Sequence, residues 1–226
     1  HLKDLGIDPD ATERSVYHVL VENAPIRPIL QAVHGLHVLP ANHDLPGAEG
    51  QIAALPAGRE MRLKEALAPL AADYDFALLD CPPSLGLFTI LGLAAAQEVI
   101  VPMQAEYLAL RGLSQLVQTL EAVKERLNHN LGVSGVIFCM FDGRTNLARD
   151  VKAEVDAFFP GKVYATPVRK NVRLAEAPSH GTPVNLHDPN CPGTQDYRAI
   201  VREFLDRSAA APSASPSLQP MWRGDE

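Results

Sequence analysis

Short continuous apolar runs alternate along this chain with longer stretches whose apolar residues recur every three or four positions. LHVLPA (36–41) reads as a strand, and REMRLKEALAPLA (59–71) follows with helical spacing through Met61, Leu63, Ala66, Leu67 and Leu70. DFALLDC (75–81) is a continuous apolar run closed by an acid, the pattern of a buried parallel strand. EVIVPM (98–103) repeats that form after an Ala/Leu-rich helix. A long helix from Leu108 to Leu127 sets Leu113, Leu116, Val117, Leu120 and Val123 on one face and Glu121, Lys124, Glu125 and Arg126 on another. VSGVIFCM (133–140) predicts a further buried strand, NLARDVKAEVDAFF (146–159) an amphipathic helix, and KVYATPV (162–168) a short strand. TQDYRAIVREFLDR (194–207) predicts a terminal helix with Thr194 as its N-cap.

This alternation predicts βαβ units and an α/β, doubly wound, mostly parallel sheet. Ligands of such sheets bind beyond the carboxyl ends of the strands. Asp80, Gln104 and Asp142 stand at or just past those ends. The expected organisation is one domain over residues 1–207 and a disordered Ala/Pro/Ser-rich tail over 208–226.

Composition narrows the class. The chain has 226 residues, 46% hydrophobic and 21% charged, as soluble domains do. It contains no run of eighteen apolar residues and no signal-peptide pattern at HLKDLGIDPD, so a cytoplasmic protein without a membrane span is expected. Cys81, Cys139 and Cys191 form no CxxC pair and read as small buried hydrophobes in a reducing compartment. A net charge of −7 argues against coating nucleic acid with the whole surface, yet allows a local basic strip.

The strongest local chemistry is FALLDCPPSLG (76–86). An acid at the tip of an apolar strand is the Walker B pattern, whose carboxylate orders the water shell of magnesium at nucleotide phosphates. Asp80 equally suits a strand end and turn cap. Its continuation, Pro82, Pro83 and Ser84, stiffens the exit. Basic residues gather at Arg169, Lys170 and Arg173 and again at Arg198 and Arg202, which share a helix face. That strip suits DNA backbone contact or simply a solvated face beside Glu203 and Asp206.

Five segments together resemble the ParA/Soj branch of the deviant-Walker P-loop ATPases, the superfamily that also holds MinD-like proteins. They are LLDCPPSLG (78–86), VPMQAEYLALRGLSQL (101–116), MFDGRTNLARDV (140–151), NVRLAEAPSHGTPV (171–184) and PGTQDYRAIVREF (192–204), in that family's order. The resemblance implies that Asp80 is the Walker B aspartate, acting on magnesium through water, with Pro82 and Pro83 beside the site. It implies that Met140, Phe141 and Asp142, with Val168, Arg169 and Asn171, flank the adenine of ATP, and that Gln104 and Glu106 lie near nucleotide and dimer interface. Lys170, Arg173, Arg198 and Arg202 are implied as DNA contacts. Phe141 suits packing as well as adenine contact, Met103 and Met140 suit core filling, and Gln104 and Glu106 suit the first turn of a helix. The chain departs from the family at Arg169-Lys170-Asn171, where relatives carry Pro-Arg-Asn.

No G-x-x-x-x-G-K-[ST] loop occurs in these residues. HLKDLGID (1–8) resembles the stretch after the family's second strand, so about forty residues bearing the first strand, the phosphate loop and the second strand are expected upstream. The resemblance implies a chromosome or plasmid partitioning ATPase that uses ATP and Mg²⁺. It is expected to dimerise with ATP, bind DNA nonspecifically on the nucleoid and respond to a ParB-like partner. The polypeptide as given is expected not to bind ATP tightly or hydrolyse it. The alternative is a truncated, non-catalytic remnant that binds DNA or a partner. A MinD-like membrane role fits less well, because the chain ends in MWRGDE after an Ala/Pro/Ser segment, not in a basic amphipathic helix.

Overall fold

The computed structural model describes residues 2–55 and 58–210. They divide into two compact units, one of the described residues up to 96 with 176–183 and the other of 97–175 with 184–210.

The first unit opens with a 3₁₀ turn (Leu2–Leu5) and helix α1 (Val16–Glu22). Ser15 caps α1 in a reciprocal box, its oxygen facing the Tyr17 amide while His18 Nδ1 accepts the Ser15 N–H at 3.2 Å. Strands β1 (Gln31–Val33) and β2 (Leu36–Val38) pair antiparallel through His34 and Gly35, both at positive φ, the twist a two-residue hairpin requires. The strand expected over 36–41 is therefore shorter, ending at Val38, and forms one arm of a hairpin. Helix α2 (Leu45–Ala53) follows. The helix expected over 59–71 is present as α3 (Arg62–Leu67) between 3₁₀ turns, the second holding Pro69, whose missing N–H cannot continue an α-helix. Helix α4 (Leu87–Ala95) completes the unit. Ala48 and Ile52 of α2, at 0% exposure, pack with Leu20 and Leu91.

The run 75–81 corrects the sequence reading, because it carries no strand. Leu78 is 85% exposed and Phe76 52%. An apolar run becomes a strand only through a ladder to a neighbour, and none forms on it among the described residues. Cys81 is accordingly exposed, not buried, although its sulfur rests against α4 where Gly92 leaves room.

Residues 176–183 join the first unit through a glycine pair. Gly6 and Gly181 have φ of +74° and +59°, and a Cβ on Gly6 would lie 2.9 Å from the Gly181 carbonyl oxygen. Only glycine meets both the conformation and the approach.

The second unit is built on parallel strands β3 (Glu98–Gln104) and β4 (Gly132–Cys139), in register from Glu98↔Gly132 to Gln104↔Cys139. Ser134 falls at a register shift, and its hydroxyl donates to the Val99 carbonyl at 3.3 Å. Residues 162–168, expected as a strand, form one isolated parallel bridge to β4, Val163 with Val136, and a second bridge follows between Arg169 and Phe141. Tyr164 donates to Val136 O at 2.9 Å and Val168 to Phe138 O at 2.8 Å. The architecture is thus α/β with parallel strands, as expected. Helices α5 (Tyr107–Arg126) and α6 (Asn146–Phe158) bury Leu113, Val117, Leu120 and Val123, and Val151 and Val155. Short helices α7 (Val172–Glu176) and α8 (Val184–His187) lead to α9 (Pro192–Ala210).

Two expectations at α9 are corrected. Thr194 is not the N-cap but lies inside the first turn, 1% exposed, its hydroxyl donating to the Asp188 and Val184 carbonyls. Pro192 starts the helix, where a missing N–H costs nothing, and Cys191 Sγ accepts the Thr194 amide at 3.4 Å. Residues 208–210 continue the helix, not the tail, and the rest of the expected tail, 211–226, lies outside the described residues. No described helix is long and apolar enough to cross a membrane.

The glycine pair gives a stability prediction. Gly6→Ala is expected to cost about 1–2 kcal/mol in denaturant unfolding, while Gly47→Ala, inside α2 with open space around it, is expected to stabilise by about 0.4–1 kcal/mol.

Candidate functional site

Parallel pairing of β3, β4 and the 162–168 run brings three carboxyl ends to one edge of the second unit. That edge holds Gln104, the loop Met140–Asp142 and the loop Val168–Asn171. Phe141 donates its N–H to Val168 O at 3.0 Å, so the two loops expected to flank a base are hydrogen-bonded neighbours. Met140 makes the turn out of β4 at φ +50°, with its side chain 53% exposed, so it fills no core. The Phe141 ring lies 5.7 Å from that of Phe138 and over Gly143, which makes it a packing group in this structure. Val168 is buried with Tyr164 and Ile200, leaving its backbone to define the loop.

Asp142 is held by its own loop. Its carboxylate accepts the Arg144 backbone N–H at 3.1 Å and a fork from the guanidinium at 2.8 and 2.7 Å. The side-chain hydrogen bond to Arg144 lowers the Asp142 carboxyl to about 2, with the backbone bond and the charge assisting. Thr145 closes the turn onto the Asp142 carbonyl and caps α6 through the Ala148 amide.

Arg169 shows what the departure from proline makes possible. Its backbone N–H, which proline lacks, donates to Asp196 Oδ2 at 3.0 Å, and its guanidinium reaches Asp196 Oδ1 at 2.7 Å. The Asp196 side chain is only 6% exposed, whereas that of Arg169 is 54% exposed. Burial pushes the Asp196 carboxyl up, but the Arg169 hydrogen bonds and charge together outweigh it and hold the carboxyl below its ordinary value. The Arg169 guanidinium therefore faces α9. Nothing local in the sequence marks Asp196 as its partner, since the two lie twenty-seven positions apart.

The remaining cations share the second unit. Asn171 Oδ1 accepts the Arg173 amide at 2.8 Å at the start of α7, and Arg173 Nε lies 3.5 Å from Asp188. Arg198 donates to the Pro189 carbonyl at 3.0 Å. Lys170, Arg173, Arg198 and Arg202 are all exposed. The inner face of α9 is occupied differently. Arg207 donates to the Lys162 and Val163 carbonyls and stacks 4.3 Å from the Tyr164 ring, while Glu203 accepts the Ala165 amide.

Asp80, Pro82 and Pro83 belong to the first unit and are exposed. Burial of the sulfur pushes the Cys81 thiol up, and the Asp80 charge adds to it. Beyond Asp80, the Thr89 hydroxyl donates to Ser84 O at 2.5 Å, and Glu49 Oε1 accepts the Leu87 amide at 3.2 Å. Sequence reasoning passed over Glu49, Thr89 and Asp196, and of these and Arg144, which it placed in a loop beside the site, it assigned a role to none. Of these, Arg144 carried a signal, since an Asp and an Arg two residues apart around Gly143 favour such a turn.

Comparison with known proteins decides the kinship. A family described as an AAA domain matches residues 3–133. The Chromosome partitioning protein ParA of Myxococcus xanthus is 44% identical over 205 residues, 90% of this chain and 72% of the relative. The Sporulation initiation inhibitor protein Soj of Bacillus subtilis is 46% identical over 202 residues, 88% and 79% of the two chains. The chain belongs to the ParA/Soj family. Among solved structures, this ParA/Soj chain is similar to cobyrinic acid a,c-diamide synthase from Mycobacterium smegmatis with bound ATP analogue and magnesium. That match has 35% identity and a TM-score of 0.78, covering 93% of this chain and 79% of the other. MinD of Pyrococcus horikoshii complexed with Mg-ADP, 21% identical with a TM-score of 0.69 over 92% of this chain and 79% of its own, shares the fold.

The Arg169–Asp196 pair yields a prediction with a definite sign. A depressed folded-state carboxyl contributes stability that is present above its unfolded value and is lost as pH falls through the folded one. Arg169→Ala is expected to destabilise the fold at neutral pH, because it leaves the buried Asp196 carboxylate without its partner. Urea unfolding from pH 7 down to pH 3 should show the variant losing the wild-type acid dependence assigned to Asp196.

Proposed function

We propose that this protein serves chromosome or plasmid partitioning as an ATPase of the ParA/Soj type. In complete form it dimerises with ATP, holds DNA backbone without reading sequence, and is stimulated by a ParB-like partner. The observation that carries the reading is the edge of the second unit, where Gln104, the Met140–Asp142 loop and the Val168–Asn171 loop converge in a chain of this family. Association with the nucleoid follows from DNA binding.

The residues present fit one part of a magnesium nucleotide. In the second unit the hydrogen-bonded pair of loops offers backbone groups to a base, and in the first unit, taken by itself, Asp80 is an exposed carboxylate suited to the water shell of Mg²⁺. They do not supply the phosphate cradle, because no Gly-rich lysine loop occurs among the 226 residues. ATP with magnesium, when bound, supplies the free energy that switches such a protein between states. The residues of this chain hold the loops that would report that switch. Lys170, Arg173, Arg198 and Arg202 would neutralise DNA phosphates locally, which a protein of net charge −7 needs in order to bind DNA at all.

A second reading is a non-catalytic DNA- or partner-binding protein of the same family. Reading the genomic DNA 5′ of the His1 codon separates the two. An in-frame Gly-rich lysine loop completes the ATPase, and a stop codon leaves the binding protein.

Two measurements check this on the protein itself. A polypeptide of these 226 residues is expected to show no magnesium-dependent phosphate release above background. Turnover abolished by Asp80→Ala would contradict that. Affinity for a random-sequence duplex should fall as salt rises, and Arg198→Ala with Arg202→Ala should reduce the log–log salt slope by about 1 for each phosphate left unneutralised. An unchanged slope removes these two from the DNA surface.

A further inference from the structure

We propose that Glu49 is a positioning residue for the loop that carries Asp80, acting through the N-terminus of α4. The inference rests on the reading that Asp80 serves bound magnesium, but the geometry is independent of it.

Helix α4 begins at Leu87 behind Gly86, which has no side chain with which to cap it. The cap comes from another helix. Glu49 of α2 places Oε1 at 3.2 Å from the Leu87 amide, thirty-eight positions away in sequence. A carboxylate there satisfies an orphan donor and opposes the positive end of the helix. Gly86 leaves the carboxylate its place, since a Cβ there would come within 3.2 Å of that same oxygen and 3.6 Å of Ser84 Oγ. The stem of Glu49 is not left to find its place. Ala48 and Ile52, on either side of it in α2, are fully buried with Leu91 of α4, so the core fixes the two helices against each other.

Two more interactions hold the same loop. The Thr89 hydroxyl, in a 6% exposed residue, donates to Ser84 O at 2.5 Å, with Pro82 O at 3.4 Å. The Cys81 sulfur sits where a Cβ on Gly92 would be, only 2.6 Å from that position. Residues 81–86 are thereby tied at their start by Cys81, in the middle by Thr89 and at their end by Glu49. Asp80, one residue before the first tie, inherits its position from all three. Without Glu49 the last tie is gone and the helix start frays, while the buried core of α2 and α4 stays intact.

The test measures the loop directly in this chain. Hydrogen exchange followed by mass spectrometry should show the segment containing the Leu87 amide exchanging about fivefold faster in Glu49→Ala. Alkylation of Cys81 should quicken in parallel. Glu49→Gln, which keeps an acceptor oxygen, should restore most of the protection. Thr89→Val should open residues 82–85 with Leu87 still protected. Unchanged exchange and alkylation in Glu49→Ala would overturn the proposal, as would faster exchange spread evenly through α1, α2 and α4. On the protein expressed from its natural gene, Glu49→Ala is expected to lower kcat for magnesium-dependent ATP turnover about tenfold with KM within about twofold. A fall in kcat with no change in loop exchange would likewise refute positioning. Absence of turnover in the unsubstituted protein would count against the ATPase reading alone, and the exchange result would still decide the role of Glu49.

Discussion

Strand β4 is hydrogen-bonded on both sides, to β3 on one and to residues 162–168 on the other, and the second unit depends on that pairing. Because both neighbours run parallel to it, all three chains leave the ladder at the same edge. Val136 and Phe138 of β4 are buried while Ile137 and Cys139 on the alternate face are half-buried, so a slip of one residue would move buried groups to the more open face. Gly135 belongs to the same constraint. A Cβ there would collide with the Tyr164 ring, which is itself almost wholly buried. The packing that fixes Tyr164 also fixes the direction in which the chain reaches Val168 and Arg169.

From that edge outward, the polar groups are arranged to hold loops still. Arg144 forks onto Asp142, Arg169 clamps Asp196 beneath α9, and Arg207 covers the carbonyls of Lys162 and Val163. Each arginine presents a planar set of donors to fixed acceptors, and a lysine could not reproduce the geometry. The basic character of this region therefore has two parts. Arg169, though half-exposed, is committed to Asp196 and Arg207 to backbone carbonyls and Glu203, whereas Lys170 and Arg202 face solvent. In the first unit the loop after Asp80 is held in the same manner, but by a carboxylate and a hydroxyl, Glu49 and Thr89.

The sequence by itself determined the α/β class, the positions of α5, α6 and β4 to within a residue or two, and the kinship carried by five ordered segments. These are properties of local periodicity and of motifs, and both are written along the chain. The two loops that meet at the sheet edge were legible through the family resemblance, and of their residues only Asp142 was also placed by a strand end. The tertiary structure alone decided the rest. Whether DFALLDC forms a strand depends on a ladder partner, and no run of residues carries its partner within it. Thr194 looked like a cap until Pro192 and Cys191 took the helix start and left its hydroxyl to the Asp188 carbonyl. Arg169 meets Asp196, and Glu49 meets Leu87, across twenty-seven and thirty-eight positions of chain. Such pairs are set by how helices pack on their neighbours, a distance in space that spacing in sequence does not record.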